Sequence, residues 1–492
     1  MSRQLVIDPV SKIEGHGKVV VEMDDNNVVT DAKLHVVEFR GFERFLQGHP
    51  YWEAPMLLQR ICGICFVSHH LCGAKALDDM VGVGLGAGVQ QIPTVEKVRR
   101  FGHYMQQLQS HVTAYWYCVV PEMLFGMDAP PEQRNVIGLV AADPELVKRV
   151  VALRKWGQEG IVATLGKRMH GINSMPGGVN QGLSIEQRDR LRDGGDGLID
   201  IETVIEYAKD AVAVWHDFHE KNRAEVDAFG KTEALNMCLV GKDGNVDYYH
   251  GDMRITDKDN NIVEELDYHN YLDHFSEATE EWSYMKFPFL KNQKSRDAGS
   301  VRVGSLARVN VTKSYEDNCP FAQAELERFK DYNNNKPSDS ILHMNWARAI
   351  EILHSAEQIK VLLNDPDLQK DDLMMDHGDF TGEGVGVVEA PRGTLLHHYR
   401  ANEEGNITFA NLIVATTQNN TTMNRTVRHI ADSYLSGKPQ SEITEGLMNA
   451  IEVGIRAFDP CLSCATHAMG QMPLVVEVRD QRGKLLAEEV RD

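Results

Sequence analysis

Two short segments near opposite ends of the chain set the strongest limit on how it can fold. The first is Arg60-Ile61-Cys62-Gly63-Ile64-Cys65-Phe66-Val67-Ser68-His69, and the second is Asp459-Pro460-Cys461-Leu462-Ser463-Cys464-Ala465-Thr466-His467. Each is a C-x-x-C followed by a histidine. Two cysteines three positions apart can aim both sulfurs at one point, so each pair is half of a site. Together they make a four-thiolate pocket suited to a soft metal such as zinc, iron or nickel. On ligand chemistry alone, a structural zinc ion fits this set as well as a redox metal. Almost the whole chain lies between the pairs, so its ends must meet. A single interleaved body over 1–467 therefore accounts for the sequence better than independent domains do.

Composition removes other classes. The formal net charge of −21 argues against nucleic-acid binding, which needs clustered Lys and Arg. Eight cysteines in 492 residues are too few for a disulfide scaffold, which points to a reducing compartment. Met1 to Val10 contains charge and Pro9 and lacks an apolar signal core. No apolar run approaches the roughly 18 residues needed to cross a bilayer. A soluble cytoplasmic protein with no membrane span is expected.

The pattern predicts an α+β fold that is predominantly helical, a bundle of long helices with small β regions around it. Residues 1–53 form an N-terminal β region, with strands flanking the turn Asp24-Asp25-Asn26-Asn27. Helical periodicity places Cys62 and Cys65 on or beside a helix ending near Met80, and predicts long helices over 94–119 and 201–229. Asp143-Pro144 reads as an N-cap with a first-turn proline, opening a helix to about Gly166. Ser184 with Gln187 reads as a capping box. The stretch from about 234 to 315 has short β runs and turn sequences, as a β-rich subdomain would. A helix is expected over 346–363, β-like structure over 385–418, and a helix over 443–457 that delivers Asp459 to His467.

The flanks of the two pairs resemble a known family. Arg-x-Cys-Gly-x-Cys-x-x-x-His and Asp-Pro-Cys-x-x-Cys-x-x-His are similar to the two signatures of the large subunit of [NiFe] hydrogenases, and both occur without departure. Three lesser motifs accompany them: Lys12-Ile13-Glu14-Gly15-His16, Phe39-Arg40-Gly41-Phe42-Glu43 and Glu389-Ala390-Pro391-Arg392-Gly393. Lys12 stands where the family commonly has Arg, a like-charge change. The resemblance spans essentially the whole chain and is strongest to the cytoplasmic, bidirectional, NAD-reducing type.

The resemblance implies reversible heterolytic oxidation of H2 at a Ni–Fe centre whose Fe carries CO and cyanide ligands. By position, Cys62 and Cys461 would be terminal Ni ligands, with Cys65 and Cys464 bridging Ni and Fe. Glu14 would take the proton from Cys461 and pass it outward. Arg392 would lie over the Fe cyanides, where a fixed guanidinium can donate hydrogen bonds. Glu43 and His467, with the Leu412 carbonyl, would hold a Mg2+ ion. His69 would reach a bridging sulfur or a cyanide, and Thr416 and Asp459 would be further donors or acceptors nearby. Electrons would leave through a small subunit with an Fe–S cluster to a diaphorase carrying FMN and NAD. No Gly-rich dinucleotide fingerprint occurs here in a strand–helix context. The resemblance further implies that a maturation endopeptidase cuts between His467 and Ala468 and removes residues 468–492.

Bland readings hold for the rest. Cys72, Cys118, Cys238 and Cys319 read as small buried hydrophobes. His16, His70, His103, His111, His170, His397 and His398 read as core or surface histidines. Complex I relatives of the family lack the cysteine pairs, which are present here. A hydrogenase using another acceptor and an H2-sensing regulatory protein of the same architecture remain alternatives, although a sensor would be expected to lack the long segment after His467.

Overall fold

In a computed structural model, the described residues are 3–83 and 92–467, with the strand pair Leu474–Arg479 and Leu485–Arg491. The tail segment Ala468 to Pro473, and with it the far side of the expected cleavage point, lies outside them. The N-terminal β region is a three-stranded antiparallel sheet of Arg3–Ile7, Gly17–Met23 and Val29–Val36, in that order. Alternation sets its inner face, where Val19, Val21 and Met23 are fully buried while their neighbours are half-buried.

Five long helices form the body: α1 (Phe66–Met80), α2 (Pro93–Thr113), α3 (Pro144–Leu165), α4 (Ile201–Ala228) and α5 (His343–Leu363). α2 packs against α3 and α5, and α5 also packs against α4. The α3 boundaries follow the local signals: the Asp143 side chain accepts the Leu146 N–H at 2.9 Å, and Gly166 closes the helix in the left-handed region. The Ser184–Gln187 capping box is formed in both directions.

Two long helices differ from their periodicity. The helix expected over 94–119 runs regularly only to Thr113 and widens to a π turn over Ala114–Val119. Pro121 has no N–H to give the preceding turn. Its polar face is also buried: Arg99, His103, Gln106, Gln107, Ser110 and His111 all lie inside. The helix over 201–229 is interrupted at Asn222 (φ −127°, ψ 22°).

The β runs after Leu235 form a four-stranded sheet in the order Val301–Arg302, Leu235–Val240, Asp252–Thr256 and Ile262–Leu266, beside the hairpin Phe275–Glu280/Ser283–Leu290. Ser305–Val311, inside the same stretch, is a helix. The sheet shares its core with the antiparallel sheet Glu383–Ala390, Gly393–Ala401 and Ile407–Ile413, through Met237, Leu239 and Ile255 against Val385, Val387 and Leu396. α1 lies on the strand Glu383–Ala390. A Cβ on Gly386 would fall 2.3 Å from the Cys72 carbonyl oxygen, so glycine there permits the contact. No described helix is long and apolar enough to cross a membrane.

Candidate metal centre

The two cysteine pairs meet where the N-terminal segment, α1 and the sheet Glu383–Ala390, Gly393–Ala401 and Ile407–Ile413 converge. Cys62 ends a short 3-10 turn in an extended conformation, and its Sγ accepts the N–H groups of Ile64 at 3.2 Å and Cys65 at 3.4 Å. Cys65 caps the start of α1. Cys461 opens the four-residue helix Leu462–Ala465, and its N–H donates to Thr416 Oγ1 at 3.0 Å. The Sγ separations are 3.3 Å for Cys62–Cys461, 3.1 Å for Cys65–Cys464 and 2.8 Å for Cys461–Cys464. All four sulfurs lie within 4.8 Å of one another, all are buried, and none is in a disulfide. Neighbouring sulfurs, Cys461 first, hold the Cys62 thiol well below its ordinary range, while burial pushes Cys461 and Cys464 up.

Glu14 reaches the set through the N-terminal segment, which pairs with Cys461 as a short parallel bridge. The Cys461 thiol donates to Glu14 Oε2 at 3.0 Å, and the same oxygen accepts the Ser463 N–H at 3.0 Å. Gly15 makes this approach possible: it has φ +86°, and a Cβ there would lie 2.8 Å from Leu462 Cβ.

Arg392 sits at the tip of the hairpin between the strands Glu383–Ala390 and Gly393–Ala401. Its Nε donates to the Asp459 carbonyl at 2.6 Å and its Nη2 to Asp459 Oδ1 at 3.0 Å. Burial opposes the guanidinium charge, but Asp459 and then the cysteines outweigh it, so Arg392 stays protonated. His69 Nε2 lies 3.4 Å from Cys464 Sγ. Burial lowers its pKa to about 4, so the ring is neutral. A small cavity lined by Cys65, His69, Arg392, Thr416, Cys461 and Cys464 opens beside the sulfurs.

Glu43, Leu412 and His467 form a second group below the first. His467 Nε2 lies 2.6 Å from the Leu412 carbonyl oxygen and 3.5 Å from Glu43 Oε1, and its Nδ1 lies 2.6 Å from the Cys464 carbonyl oxygen. Burial raises the Glu43 carboxyl to about 7 and lowers the His467 pKa. Every site residue named from the sequence therefore falls in one region, on or next to the thiolates.

Sequence reasoning missed three further residues. His397 Nε2 meets His69 Nδ1 at 3.1 Å, and its own Nδ1 meets Tyr399 OH at 2.5 Å, extending the chain of rings behind Cys464. Arg308 grips the hairpin tip, with N–H groups on the Ala390 and Pro391 carbonyls at 3.0 and 3.1 Å, and pairs with buried Glu351 and Glu389. Arg40, beside a motif residue, donates to the carbonyls of Ile61 and Ser463, one from each half-site. No spacing in the sequence marks His397 or Arg308.

A family model described as nickel-dependent hydrogenase matches residues 40–120 and 165–467, both half-sites included. The chain belongs to the nickel-dependent hydrogenase family. A model described as HoxL-like matches residues 4–39. The NAD-reducing hydrogenase HoxS subunit beta of Cupriavidus necator is 69% identical over the full length of both chains. An F420-non-reducing hydrogenase chain of Methanothermobacter thermautotrophicus is 38% identical, over 98% of this chain and 99% of that one. Among solved structures, an NAD+-reducing [NiFe]-hydrogenase in the H2-reduced state superposes with a TM-score of 0.87 and 43% identity, over 94% of this chain and 99% of that one.

The site of this hydrogenase chain suits the metal its family name requires. Four buried thiols, none in a disulfide, converge on one point, and four soft sulfurs favour Ni and Fe over hard ions.

Proposed function

We propose that this chain is the H2-splitting subunit of an NAD-reducing hydrogenase, with Cys62, Cys65, Cys461 and Cys464 holding a Ni–Fe centre. When bound, that centre would supply heterolytic cleavage of H2. All four sulfurs would hold the centre, with Cys62 facing Cys461 and Cys65 facing Cys464 across the two half-sites. The observation that carries the reading is the 3.0 Å hydrogen bond from the Cys461 thiol to Glu14. It gives one of the four sulfurs a direct proton acceptor, which a structural zinc site would not need. The Cys461 thiol receives the proton and Glu14 carries it toward solvent. Arg392, held by Asp459, lines the cavity beside the sulfurs and would offer a fixed positive charge to anionic ligands of the bound centre. Thr416 fixes the Cys461 backbone, and His69, backed by His397, would steady the Cys464 sulfur.

Glu43, the Leu412 carbonyl and His467 are assigned to a Mg2+ ion. A neutral imidazole has one N–H, yet both ring nitrogens of His467 face a carbonyl oxygen at 2.6 Å. A cation taken up by Nε2, Leu412 and Glu43 would resolve that conflict.

Full-length 69% identity to an NAD-reducing relative, against 38% to an F420-non-reducing one, favours NAD as the acceptor. Electrons would then pass to a small subunit with an Fe–S cluster and a diaphorase bearing FMN, in the cytoplasm. The nickel-dependent hydrogenase match ends at His467, a buried residue. This supports removal of residues 468–492 by an endopeptidase, after which the new terminus closes the site. Metal analysis, an infrared scan and intact-mass measurement of active protein test the reading together. Expected are one Ni and one Fe per chain, CO and cyanide bands, and a chain ending at His467. Zinc in place of Ni and Fe would overturn the Ni–Fe assignment, and active protein still ending at Asp492 would overturn the cleavage.

A further inference from the structure

Three groups of metal-ligating side chains converge among the described residues. One is the four-thiolate set. In the second, Glu316, Cys319 and His354, the ligating atoms already have partners: His354 Nε2 pairs with Glu316 Oε2 at 3.0 Å, and Cys319 Sγ accepts from Gln358 at 3.3 Å. The third, His219, Asp227 and His343, lies elsewhere in the fold, where α4 ends and α5 begins, and it is unsatisfied.

Eight residues along an unbroken helix would separate His219 from Asp227 by about 12 Å. The break at Asn222, where the side-chain amide caps the Phe218 carbonyl at 2.9 Å, folds the last turn back. Asp227 Oδ1 then lies 3.7 Å from His219 Nε2 and 3.4 Å from His343 Nε2. Both separations exceed a sound hydrogen bond. His219 is 3% exposed and His343 2%, and all three facing atoms are buried without a partner. The atoms behind them are fixed. Tyr332 OH donates to Asp227 Oδ2 at 2.6 Å, and His343 Nδ1 meets Ser338 Oγ at 2.7 Å, so Nε2 is the His343 nitrogen left to face inward. Trp215 stacks on the His219 ring with centroids 5.6 Å apart.

We propose that His219, Asp227 and His343 bind one divalent transition ion, best matched by Zn2+, which pins the last turn of α4 to the first turn of α5. Two imidazoles and one carboxylate form a borderline donor set of the kind zinc takes, whereas Mg2+ and Ca2+ require mostly oxygen. A tetrahedral ion with bonds of about 2.0–2.1 Å sets its donors about 3.3 Å apart, close to the separations seen here. The Asp227 side chain is 41% exposed, so the ion has a route in and a water can fill its fourth position.

The test uses matured holoenzyme, whose four thiolates are already occupied, stripped of loose metal and titrated with ZnCl2. Expected is one added zinc per wild-type chain, with an X-ray absorption spectrum showing nitrogen and oxygen neighbours only. Asp227→Asn and His343→Gln each weaken uptake by about 10–100-fold or more, whereas His354→Gln leaves it intact. Asp227 is partly exposed, so Asp227→Asn carries the test if His343→Gln fails to fold. Absence of saturable uptake by the wild type, sulfur scattering from the added zinc, or undiminished uptake by Asp227→Asn overturns the proposal.

Discussion

The two cysteine half-sites have nearly the same sequence pattern and opposite kinds of support. The first belongs to the core. Cys65 starts α1, whose residues are buried on nearly every side, and Gln106 Oε1 accepts the Val67 and Ser68 N–H groups at 2.7 and 3.1 Å just behind it. Its sulfurs are aimed by their own turn and helix. The second is a strap. Asp459 takes a left-handed φ of 50°, the helix after Cys461 has four residues, and the contacts that aim it come from Glu14, Arg40, Thr416 and Arg392. A pattern of cysteines thus fixes which atoms meet but not what makes them stay. Both halves are buried, but the first is built on its own turn and long helix while the second depends on hydrogen bonds from distant segments.

Four experiments break or sharpen this contrast. The largest effect is expected where the halves must be equal. Cys65→Ser and Cys464→Ser should each lose both Ni and Fe and all activity, because a thiolate cage depends on every donor, while Cys72→Ser keeps both. Elemental analysis decides, and full occupancy with activity in Cys464→Ser would show that the strap is dispensable. Next, Glu14→Gln keeps the shape of the strap's anchor and removes its proton. H/D exchange with solvent should fall by roughly 10²- to 10⁴-fold with metals retained. Unchanged exchange would make Glu14 a purely structural contact.

Arg392→Lys keeps the charge but cannot span both Asp459 acceptors. Turnover should fall on the order of 100-fold as the strap loses its alignment, with metals present and cyanide infrared bands shifted. Unmoved bands with an unchanged rate would place Arg392 outside the site. The smallest effect tests the core half. His70, on α1, accepts the Asn173 and Ser174 N–H groups at Nε2 at 3.1 and 3.0 Å, and its Nδ1 lies 3.1 Å from the Pro55 carbonyl oxygen. Burial lowers its pKa to about 4. The unfolded chain takes up a proton near pH 6.5 that the fold refuses until about 4, so stability falls as pH falls through that window. The cost is about 1.4 kcal/mol per pH unit. Denaturant titrations from pH 7 to 4 should show this limb flattened in His70→Gln.

What the sequence disclosed was local or motif-borne. The Asp143-Pro144 start and Gly166 end of α3, the Ser184 capping box and the turn at 24–27 are decided by neighbours within a few residues. The centre was legible because both cysteine pairs and the motifs around Glu14, Glu43 and Arg392 carry it. His397 and Arg308 were not, because their roles exist only through partners hundreds of residues or several elements away. The break at Asn222 was hidden by an apolar period that continues across it, and the β runs near 235–302 gave no sign of sharing a core with the later sheet.

The pairing of the N-terminal segment with the strap also orders events in time. Glu14 bridges Cys461, and the Arg40 and Glu43 N–H groups donate to the Thr466 and His467 carbonyls at 3.1 Å. These contacts join residues 14–43 to residues more than 400 positions later in the chain. At about 5–20 residues per second on a ribosome, some 400 residues of synthesis delay the second pair by roughly 20–80 s. Throughout that interval Cys62 and Cys65 lack the two sulfurs they face in the folded chain. Such long-range closure is also slow, because loop entropy is lost before the contact forms. The four-sulfur pocket can therefore close only after translation has supplied the second pair.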